Sequence, residues 1–396
     1  MKKKVLFMVS SMNIGGVEKS LLSLLSVIPN DRYDITLLLL EKKGDFLEYI
    51  PDWVKVEEAT WYDKIKPIIM QPPQQTIKGY YQNKEYKKIP TFIYSYLLSK
   101  QLDNRYFYYN QVFKSVSKKM DVYDVAIAYQ GPTDIIDYYI ANKVNAKKKI
   151  SWVHFDVSNH QINKKLYKKL YDKFEKIFVV SNEAKKQLIE KIPTIDRKAE
   201  VFLNIVSNNL INNMSKKSIR FNEEYKGLKI VTVGRLSREK GQDLAITVLS
   251  LLRKEGYEVR WYCVGDGSDR KEFEMLIEQN NLRNDFILLG STPNPYPYID
   301  QADIYVQTSK HEGYCLTIAE AKCLQKPIVT TNFIGAYEQL EDGYNGFIVK
   351  CNAVDIYKKV KYLIDNSELR NKLTRNLAET NLDTTNEVYK LFNYIE

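Results

Sequence analysis

Apolar runs in the first half of the chain alternate with segments of helical spacing. Lys4–Ser10 and Ile35–Leu40 are predicted strands, and the stretch of about Val17–Val27 between them is a predicted amphipathic helix. Ile35–Leu40 ends in four consecutive leucines, which is typical of a strand buried on both faces. Further strands are predicted at Val122–Tyr129, Lys149–His154 and Lys176–Val180. Strands that alternate with helices predict an α/β fold with a parallel sheet covered on both faces.

The same alternation resumes in the second half of the chain. The predicted strands are Leu228–Val233, Val259–Val264, Phe286–Leu289, Ile304–Thr308 and Ile328–Thr330. The predicted helices are Gly241–Glu255, Asp269–Asn280, one that includes Ile318–Cys323, and Thr385–Glu396. This half therefore predicts a second doubly wound domain.

Two segments break the alternation. Residues from about 60 to 111 are rich in proline, lysine and aromatic side chains, and we expect an insertion with its own helices on one rim of the first domain. The polar, asparagine-rich segment 207–226 is the predicted linker. The boundaries that follow are a first domain at 1–206, a second domain at 227–378 and a terminal helix within 379–396.

Length and composition support this division. A chain of 396 residues is too long for one ordinary core, and 44% hydrophobic content is typical of a globular protein. Its apolar runs are shorter than the roughly 18–20 residues that a membrane span needs. The basic N-terminus followed by Val5–Val9 has some likeness to a secretory signal, but the polar, glycine-bearing residues 10–16 favour a buried first strand. We therefore expect a cytoplasmic protein.

The cysteines and the net charge restrict the possible functions only a little. The four cysteines lack a CxxC spacing and are predicted to be reduced and buried, with no disulfide or zinc site. The net charge of +10 is concentrated in the first half, where residues 61–120 hold eleven Lys or Arg against three Asp or Glu. Such a surface is compatible with nucleic acid, anionic lipid or a polyanionic substrate, and equally with lysines that only solvate helix faces.

The candidate chemistry follows predicted strands of the second domain, where open parallel sheets bind ligands. Gly234 to Gly241 places Arg235 and Lys240 between a strand and a helix, which suits a diphosphate but also an ordinary connector. The turn Gly265-Asp266-Gly267 lacks the rest of a dinucleotide fingerprint, and a structural turn is the favoured interpretation.

The segment from Glu312 to Glu320 carries the strongest pattern. Two carboxylates flank the turn at Gly313, and the amides at the start of the following helix could bind phosphate. The alternative is structural, because Thr317 and Glu320 have the spacing of a helix capping box. The turns at Gly335–Glu338 and Asp342–Gly346 need no functional explanation.

As an ordered set, these segments resemble the "glycosyl transferases group 1" family of retaining glycosyltransferases, which includes sucrose synthase and bacterial capsule and lipopolysaccharide enzymes. The resemblance covers the second domain. In the first domain, Ile14 to Glu18 resembles the family's glycine loop, and Trp152 to Asp156 and Val179 to Glu183 resemble its strand ends. The resemblance implies the GT-B fold, with two Rossmann-like domains facing across a cleft and a C-terminal helix that packs back on the first.

The family also implies residue roles. Arg235 and Lys240 neutralise the departing diphosphate, Glu320 binds ribose hydroxyls and Glu312 binds the donor sugar. His154 approaches the sugar from the first domain, with a purely structural histidine as the alternative. The other implied donor-binding residues are Gly15, Gly16, Gly234, Gly313, Tyr314, Cys315, Leu316 and Thr317. Cys315 stands where the family often has proline, so the fit of the sugar is in question.

The expected mechanism uses fixed cations and amides in place of a metal to stabilise the leaving diphosphate. The sequence contains no Asp-x-Asp, the usual metal motif of the other main glycosyltransferase fold, so we expect neither a metal nor any other cofactor. The family implies retention of anomeric configuration by front-face attack. The expected substrates are a nucleotide-sugar, with UDP favoured, and a glycan or lipid-linked acceptor, in the synthesis of a bacterial capsule, exopolysaccharide or other surface polymer.

A peripheral contact with an anionic membrane is a further expectation, which would place the protein at the inner face of the cell membrane. Ile162, Leu166, Leu170 and Phe174 recur every fourth residue with flanking lysines. That pattern suits a helix on a membrane surface or one packed on the sheet. The alternative functions are a sugar-nucleotide epimerase on the same fold and a basic nucleic-acid-binding protein, for which no recognition motif is present.

Overall fold

The computed structural model describes residues 2–155, 157, 162–217, 221, 225–380 and 383–396. They form two compact units, 1–203 with 387–396, and 204–386. The strands of the first unit are β1 (Lys3–Val9), β2 (Tyr33–Leu39), β3 (Lys55–Glu58), β4 (Lys119–Gly131), β5 (Val144–Val153), β6 (Lys176–Val179) and β7 (Ala199–Val201). Those of the second are β8 (Leu228–Val233), β9 (Val259–Val264), β10 (Phe286–Gly290), β11 (Ile304–Gln307), β12 (Ile328–Thr331) and β13 (Phe347–Val349).

Helices connect the strands of each unit. The first unit holds α1 (Gly16–Val27), α2 (Tyr62–Met70), α3 (Pro73–Gln82), α4 (Lys88–Gln101), α5 (Tyr106–Val112), α6 (Asp134–Lys143), α7 (Lys164–Tyr171), α8 (Asn182–Lys191) and the terminal α17 (Val388–Ile395). The second holds α9 (Asn208–Ser215), α10 (Gln242–Lys254), α11 (Arg270–Gln279), α12 (Tyr296–Asp300), α13 (Leu316–Cys323), α14 (Ile334–Tyr337), α15 (Ala353–Asp365) and α16 (Ser367–Glu379). Short 3-10 turns lie at Asp45–Tyr49, Phe113–Ser115, Pro193–Ile195 and Thr385–Glu387.

Both sheets are parallel and doubly wound, as the sequence predicts. The strand order is β3-β2-β1-β4-β5-β6-β7 in the first unit and β10-β9-β8-β11-β12-β13 in the second. In each, the chain works outward from a central strand and then crosses to the other side, which is the Rossmann arrangement. The crossing points lie between β1 and β4 and between β8 and β11.

The apolar stripe from Ile162 to Phe174 was compatible with a helix on a membrane surface or one packed on the sheet, and the structure distinguishes the two. Leu166, Leu170 and Phe174 are fully buried in the core, and Ile162 packs against them. The membrane interpretation of this helix is therefore wrong, because its apolar face is used against the sheet.

The predicted insertion forms four helices, α2 to α5, between β3 and β4. Two of them join the first core, α2 through Tyr62 and Ile65 and α5 through Tyr109 and Val112. Strand β3 was not predicted, since its charged sequence Lys-Val-Glu-Glu carries little hydrophobic signal. It pairs with β2 at the edge of the sheet.

The segment predicted as a linker, 207–226, contains α9 where the structure describes it, and residues 218–220 and 222–224 lie outside the described residues. Ile211 on α9 is buried in the second unit. At the other end of the chain, α17 packs on the first unit, as expected. The ring of Phe392 stacks on Tyr33 with centroids 5.2 Å apart, and Lys148 Nζ donates to the Tyr394 carbonyl at 2.7 Å.

Among the helices of the described residues, none is both long enough and apolar enough to cross a bilayer.

Candidate functional site

The site lies at the carboxyl edge of the second sheet. β8 and β11 are neighbours there, although β9 and β10 intervene in sequence. Open α/β sheets bind ligands at this kind of crossing, outside the strand ends. The loops that follow β8 and β11 contain most of the residues that the sequence singled out.

Lys240 and Glu312 come together across these two loops. Lys240 Nζ forms an ion pair with Glu312 Oε1, and Ser309 Oγ donates to the same oxygen at 2.9 Å. The side chains are 23% and 13% exposed, so the pair is largely shielded but reachable from solvent. Burial lowers the pKa of Lys240, but the nearby Glu312 carboxylate outweighs it and the pKa lies above its usual value. Lys240 is therefore a fixed cation.

A glycine allows the two loops to approach so closely. Gly241 has φ +71°, and a Cβ there would lie 2.1 Å from the Thr308 carbonyl oxygen. Thr308 Oγ1 donates to the Lys240 carbonyl at 2.9 Å, and the Lys310 amide donates to the Glu239 carbonyl at 2.8 Å. These contacts fix the backbone that carries Lys240.

Gln307, at the end of β11, links this pair to the core beneath it. Its side chain is buried, and its Oε1 accepts from Tyr305 OH at 2.6 Å and from Thr317 Oγ1 at 3.3 Å. Its Nε2 donates to Ser309 Oγ at 2.8 Å. Because both hydroxyls donate to the amide oxygen, the NH2 group of Gln307 faces Ser309 and donates to its hydroxyl oxygen. The proton of that hydroxyl is then directed to Glu312. The sequence interpretation missed Gln307, although a polar residue at the end of an apolar strand was a usable signal.

The capping-box interpretation of Thr317 and Glu320 is wrong. α13 begins at Leu316 with Cys315 as its N-cap residue, so Thr317 is not the cap and its hydroxyl binds Gln307 instead. Glu320 is buried and accepts from Tyr296 OH at 3.3 Å.

Cys315 adopts a left-handed conformation with φ +66°. Proline cannot adopt this angle, so the family's common residue could not stand here in the same backbone conformation. Burial raises the pKa of Cys315 to about 12, which keeps its thiol protonated.

The turn that precedes α13 is held in place by α14 and by Gln339. A Cβ on Gly335 would lie 2.7 Å from the Gly313 carbonyl oxygen, so α14 packs directly on this turn. Gln339 Nε2 donates to the carbonyls of Tyr314 and, at 3.3 Å, Cys315. With these carbonyls bonded, the turn leads into α13, whose first N–H groups have no acceptor within the helix.

Arg235 does not join the ion pair. Its side chain is exposed, and its carbonyl accepts from Gln242 Nε2 at 2.9 Å. The Gly234 amide donates to the Val264 carbonyl at 3.0 Å, and a Cβ on Gly265 would lie 2.0 Å from the Gly234 oxygen. The turn at Gly265 therefore has the structural role that the sequence favoured, close packing of two loops.

In the first unit, His154 follows β5 beside two aromatic rings. Its ring lies 4.6 Å from Tyr129 and 6.2 Å from Trp152, centroid to centroid. Burial lowers its pKa to about 3, so the imidazole is neutral. Its Nε2 is buried and has no hydrogen-bond partner among the residues described. Asp156, from the same predicted segment, lies outside the described residues.

Gly15 and Gly16 open helix α1. Gly15 is the N-cap residue, and a Cβ on Gly16 would meet no atom within 4 Å, so the backbone there is open. A Cβ on Gly15 would lie 2.4 Å from Glu18 Oε2. Because this carboxylate already occupies the first helical turn, the geometry favours hydroxyl groups over phosphate at this position.

Chemically, the site of the second unit combines a fixed cation, a carboxylate with one oxygen engaged and a helix N-terminus, and the loop that carries the cation also carries the exposed Arg235. Such groups suit a ligand that carries both phosphate and hydroxyls. Within the described ranges, no group of three or more His, Cys, Asp or Glu side chains is placed to hold a metal ion.

Comparison with known sequences gives a family match for part of the chain. Residues 214–380 match the family described as "Glycosyl transferases group 1". The chain is 26% identical to the N-acetylgalactosamine-N,N'-diacetylbacillosaminyl-diphospho-undecaprenol 4-alpha-N-acetylgalactosaminyltransferase of Campylobacter jejuni over 56% of its length. It is 30% identical to the poly(ribitol-phosphate) alpha-N-acetylglucosaminyltransferase of Staphylococcus aureus over 37%. The matches span 59% and 32% of these relatives' own lengths.

Comparison with solved structures gives the fold. The Anabaena protein Alr3699/HepE, solved in complex with UDP-glucose, superimposes with a TM-score of 0.71. The two chains are 20% identical, and the superposition covers 99% of each. The expected GT-B architecture of two Rossmann-like domains is thereby confirmed.

Proposed function

We propose that the chain, whose residues 214–380 match the Glycosyl transferases group 1 family, transfers a sugar from a nucleotide-sugar to an acceptor. The observation that carries this proposal is the Lys240–Glu312 pair at the crossing point of the second sheet. An ion pair that only stabilises the fold has no reason to lie at the edge of the sheet where ligands bind. The Lys240–Glu312 pair lies at that edge and remains partly exposed to solvent.

In the proposed mechanism, the bond between the anomeric carbon and the diphosphate breaks as negative charge grows on the leaving oxygen. Lys240, the exposed Arg235 and the first amides of α13 stabilise that charge. Since Lys240 is already fixed by Glu312, little reorganisation is needed as the charge develops. Glu312 Oε2 binds hydroxyls of the donor sugar, and Glu320 binds the ribose.

We further propose that the anomeric configuration is retained and that no metal is required. The acceptor oxygen attacks from the face that the diphosphate leaves, and its proton passes to the departing phosphate. His154 is neutral and serves as a hydrogen-bonding group to the sugar, not as a charged acid. The absence of an Asp-x-Asp from the sequence supports a role for cationic side chains at the diphosphate.

For the substrates, we favour a UDP-hexose donor, since the HepE protein of the same fold was solved with UDP-glucose. The two relatives are named for acceptors of a polymer or lipid-linked kind, a poly(ribitol-phosphate) and a diphospho-undecaprenol. We therefore propose a glycan or lipid-linked acceptor in bacterial surface-polymer synthesis, at the cytoplasmic side of the membrane.

The test is a screen of UDP-, GDP- and ADP-sugars that measures nucleotide release with and without a bacterial membrane extract as acceptor. We expect release with one donor class that depends on the extract. Lys240→Met and Glu312→Gln should each lower kcat by about 10²- to 10³-fold, the usual loss when one group that stabilises transition-state charge is removed. No nucleotide release with any donor would contradict the proposal.

Two controls separate function from folding. Arg238 lies on the same loop as Lys240 and forms an ion pair with Glu272 of α11, but it is exposed, so Arg238→Ala should leave kcat unchanged. The double variant Lys240→Met/Glu312→Gln removes both charges and should recover stability lost in the single variants. If it also recovered activity, the pair would be structural only.

A further inference from the structure

Helix α4 of the insertion exposes several of its apolar residues on the face that points away from the core. Its buried residues are Phe92, Ser95 and Ser99, so two of the three inward positions are serines. Ile93, Tyr94 and Leu97 face solvent on the opposite side, and Tyr94 and Leu97 are 68% and 57% exposed. A surface helix ordinarily presents charged or polar residues on its outer face, so three exposed apolar residues there need an explanation.

These exposed residues form one continuous stripe. Tyr86, Pro90, Ile93, Tyr94 and Leu97 follow helical spacing and lie within about 100° of one another around the helix axis. Tyr86 stands just before the helix, where its ring contacts Tyr81 with centroids 5.3 Å apart. Tyr81 is itself 65% exposed, which extends the apolar surface to the end of α3. We call this set the α4 stripe.

Lysines border the α4 stripe on both sides. Lys87 and Lys100 are exposed and lie at its two edges around the helix, and Lys84 is exposed in the preceding turn. From residue 60 to residue 112 the insertion carries eight Lys or Arg against three Asp or Glu. The surface therefore combines apolar and aromatic side chains with a surplus of positive charge.

We propose that the α4 stripe docks on an anionic lipid membrane. Tyrosine, leucine and isoleucine side chains enter the boundary between headgroups and acyl chains, while lysines at the same level bind lipid phosphates. A protein partner with an apolar face would leave the bordering lysines without complementary charge, so the charge pattern favours lipid. The docking does not depend on sugar transfer, because none of these residues belongs to the site of the second unit.

The experiment is flotation of the full chain with vesicles of phosphatidylcholine and phosphatidylglycerol, compared with phosphatidylcholine alone, at low and high salt. We expect co-flotation with the anionic vesicles only, reduced by salt. Tyr94→Ser/Leu97→Ser should reduce binding at least about tenfold by loss of apolar contact. Lys87→Gln/Lys100→Gln should reduce binding to anionic vesicles and weaken its salt dependence.

Met275→Ser is the matched control, since Met275 on α11 is 56% exposed, nearly the same as Leu97. It should float like the unaltered chain. Thermal shift with UDP should be unchanged in every α4 variant, so loss of docking is distinguishable from loss of the donor site. The proposal is overturned if the unaltered chain ignores anionic vesicles at low salt, or if Tyr94→Ser/Leu97→Ser floats normally. A shift from dimer to monomer in that variant, seen by analytical ultracentrifugation without flotation of the parent, would show that a second copy covers the stripe.

Discussion

At the scale of single residues, Gln307 decides how the Lys240–Glu312 pair is held. Three side chains bond to it, and two of them, Tyr305 and Thr317, need its amide oxygen. Removing a buried acceptor leaves donors without partners, which costs about 1–3 kcal/mol for each buried group. Removing a single donor costs less, because the acceptor keeps its other partner.

We therefore expect Gln307→Met to destabilise the second unit more than Tyr305→Phe does. Gln307→Met should also raise the KM for the donor, because Ser309 loses the bond that directs its proton to Glu312. Urea unfolding measures the first effect and donor kinetics the second. Equal effects of the two substitutions would show that Gln307 is an ordinary buried amide.

The candidate site was predictable only in part from residue types. Lys240 and Glu312 were predicted as parts of one site, and the structure brings them together. Arg235 was given the same role, but a loop position does not determine where a long side chain points, and it stays outside the pair. The left-handed conformation of Cys315, which moves the start of α13 away from Thr317, has no local sequence signal because glycine and asparagine usually occupy such positions.

At the scale of elements, a buried carboxylate joins three parts of the first unit. Asp137 on α6 accepts from the Thr133 amide at 2.9 Å, from Ser151 Oγ of β5 at 2.8 Å and from Tyr167 OH of α7 at 3.4 Å. Burial raises its pKa to about 7 in spite of these bonds, and the nearby Asp134 adds to the rise. Asp137 thus keeps its proton in the folded chain at pH values where an unfolded aspartate has lost it.

This shift predicts a pH dependence of stability. Between the ordinary aspartate pKa of about 3.9 and the folded value of about 7, the folded chain binds the extra proton. The free energy of unfolding should therefore fall as pH rises through that window and level off above it. Asp137→Asn, which is neutral at every pH, should remove this contribution. Chemical denaturation of the unaltered chain and of Asp137→Asn from pH 4 to pH 8 measures this contribution. If the free energy of unfolding depended on pH in the same way in both, the prediction would be contradicted.

Elements themselves were well predicted where their periodicity was strong. Strands β8 and β9 have the predicted bounds, and α10 and α11 lie within one residue of theirs at each end. The missed strands β3, β7 and β13 have three or four residues each and pair at or next to a sheet edge, so tertiary pairing defines them more than local pattern does. Periodicity also does not predict whether an apolar helix face packs on the core or faces solvent. The apolar stripe of α7 is buried in the core, whereas the α4 stripe is exposed.

At the scale of the whole molecule, the chain returns to its first unit at its end. α17 buries Val388, Leu391, Phe392 and Ile395 there, and Glu387 accepts from the Leu203 amide at 2.9 Å. The last ten residues are therefore structural parts of a unit that begins nearly 400 positions earlier. The helix was predictable from its apolar spacing, but its partner followed only from the family resemblance.

This arrangement predicts a selective loss of stability. Phe392→Ala removes a buried ring that stacks on Tyr33, and a buried Phe→Ala substitution costs about 3–5 kcal/mol. Because α17 belongs to the first unit, calorimetry of the variant should show a lower transition temperature for that unit. The transition that UDP raises, which reports the second unit, should stay in place. Tyr389→Ala is the control on the same helix, since Tyr389 is exposed and its removal should change neither transition. If Phe392→Ala lowered both transitions equally, the two units would have to unfold as one cooperative body.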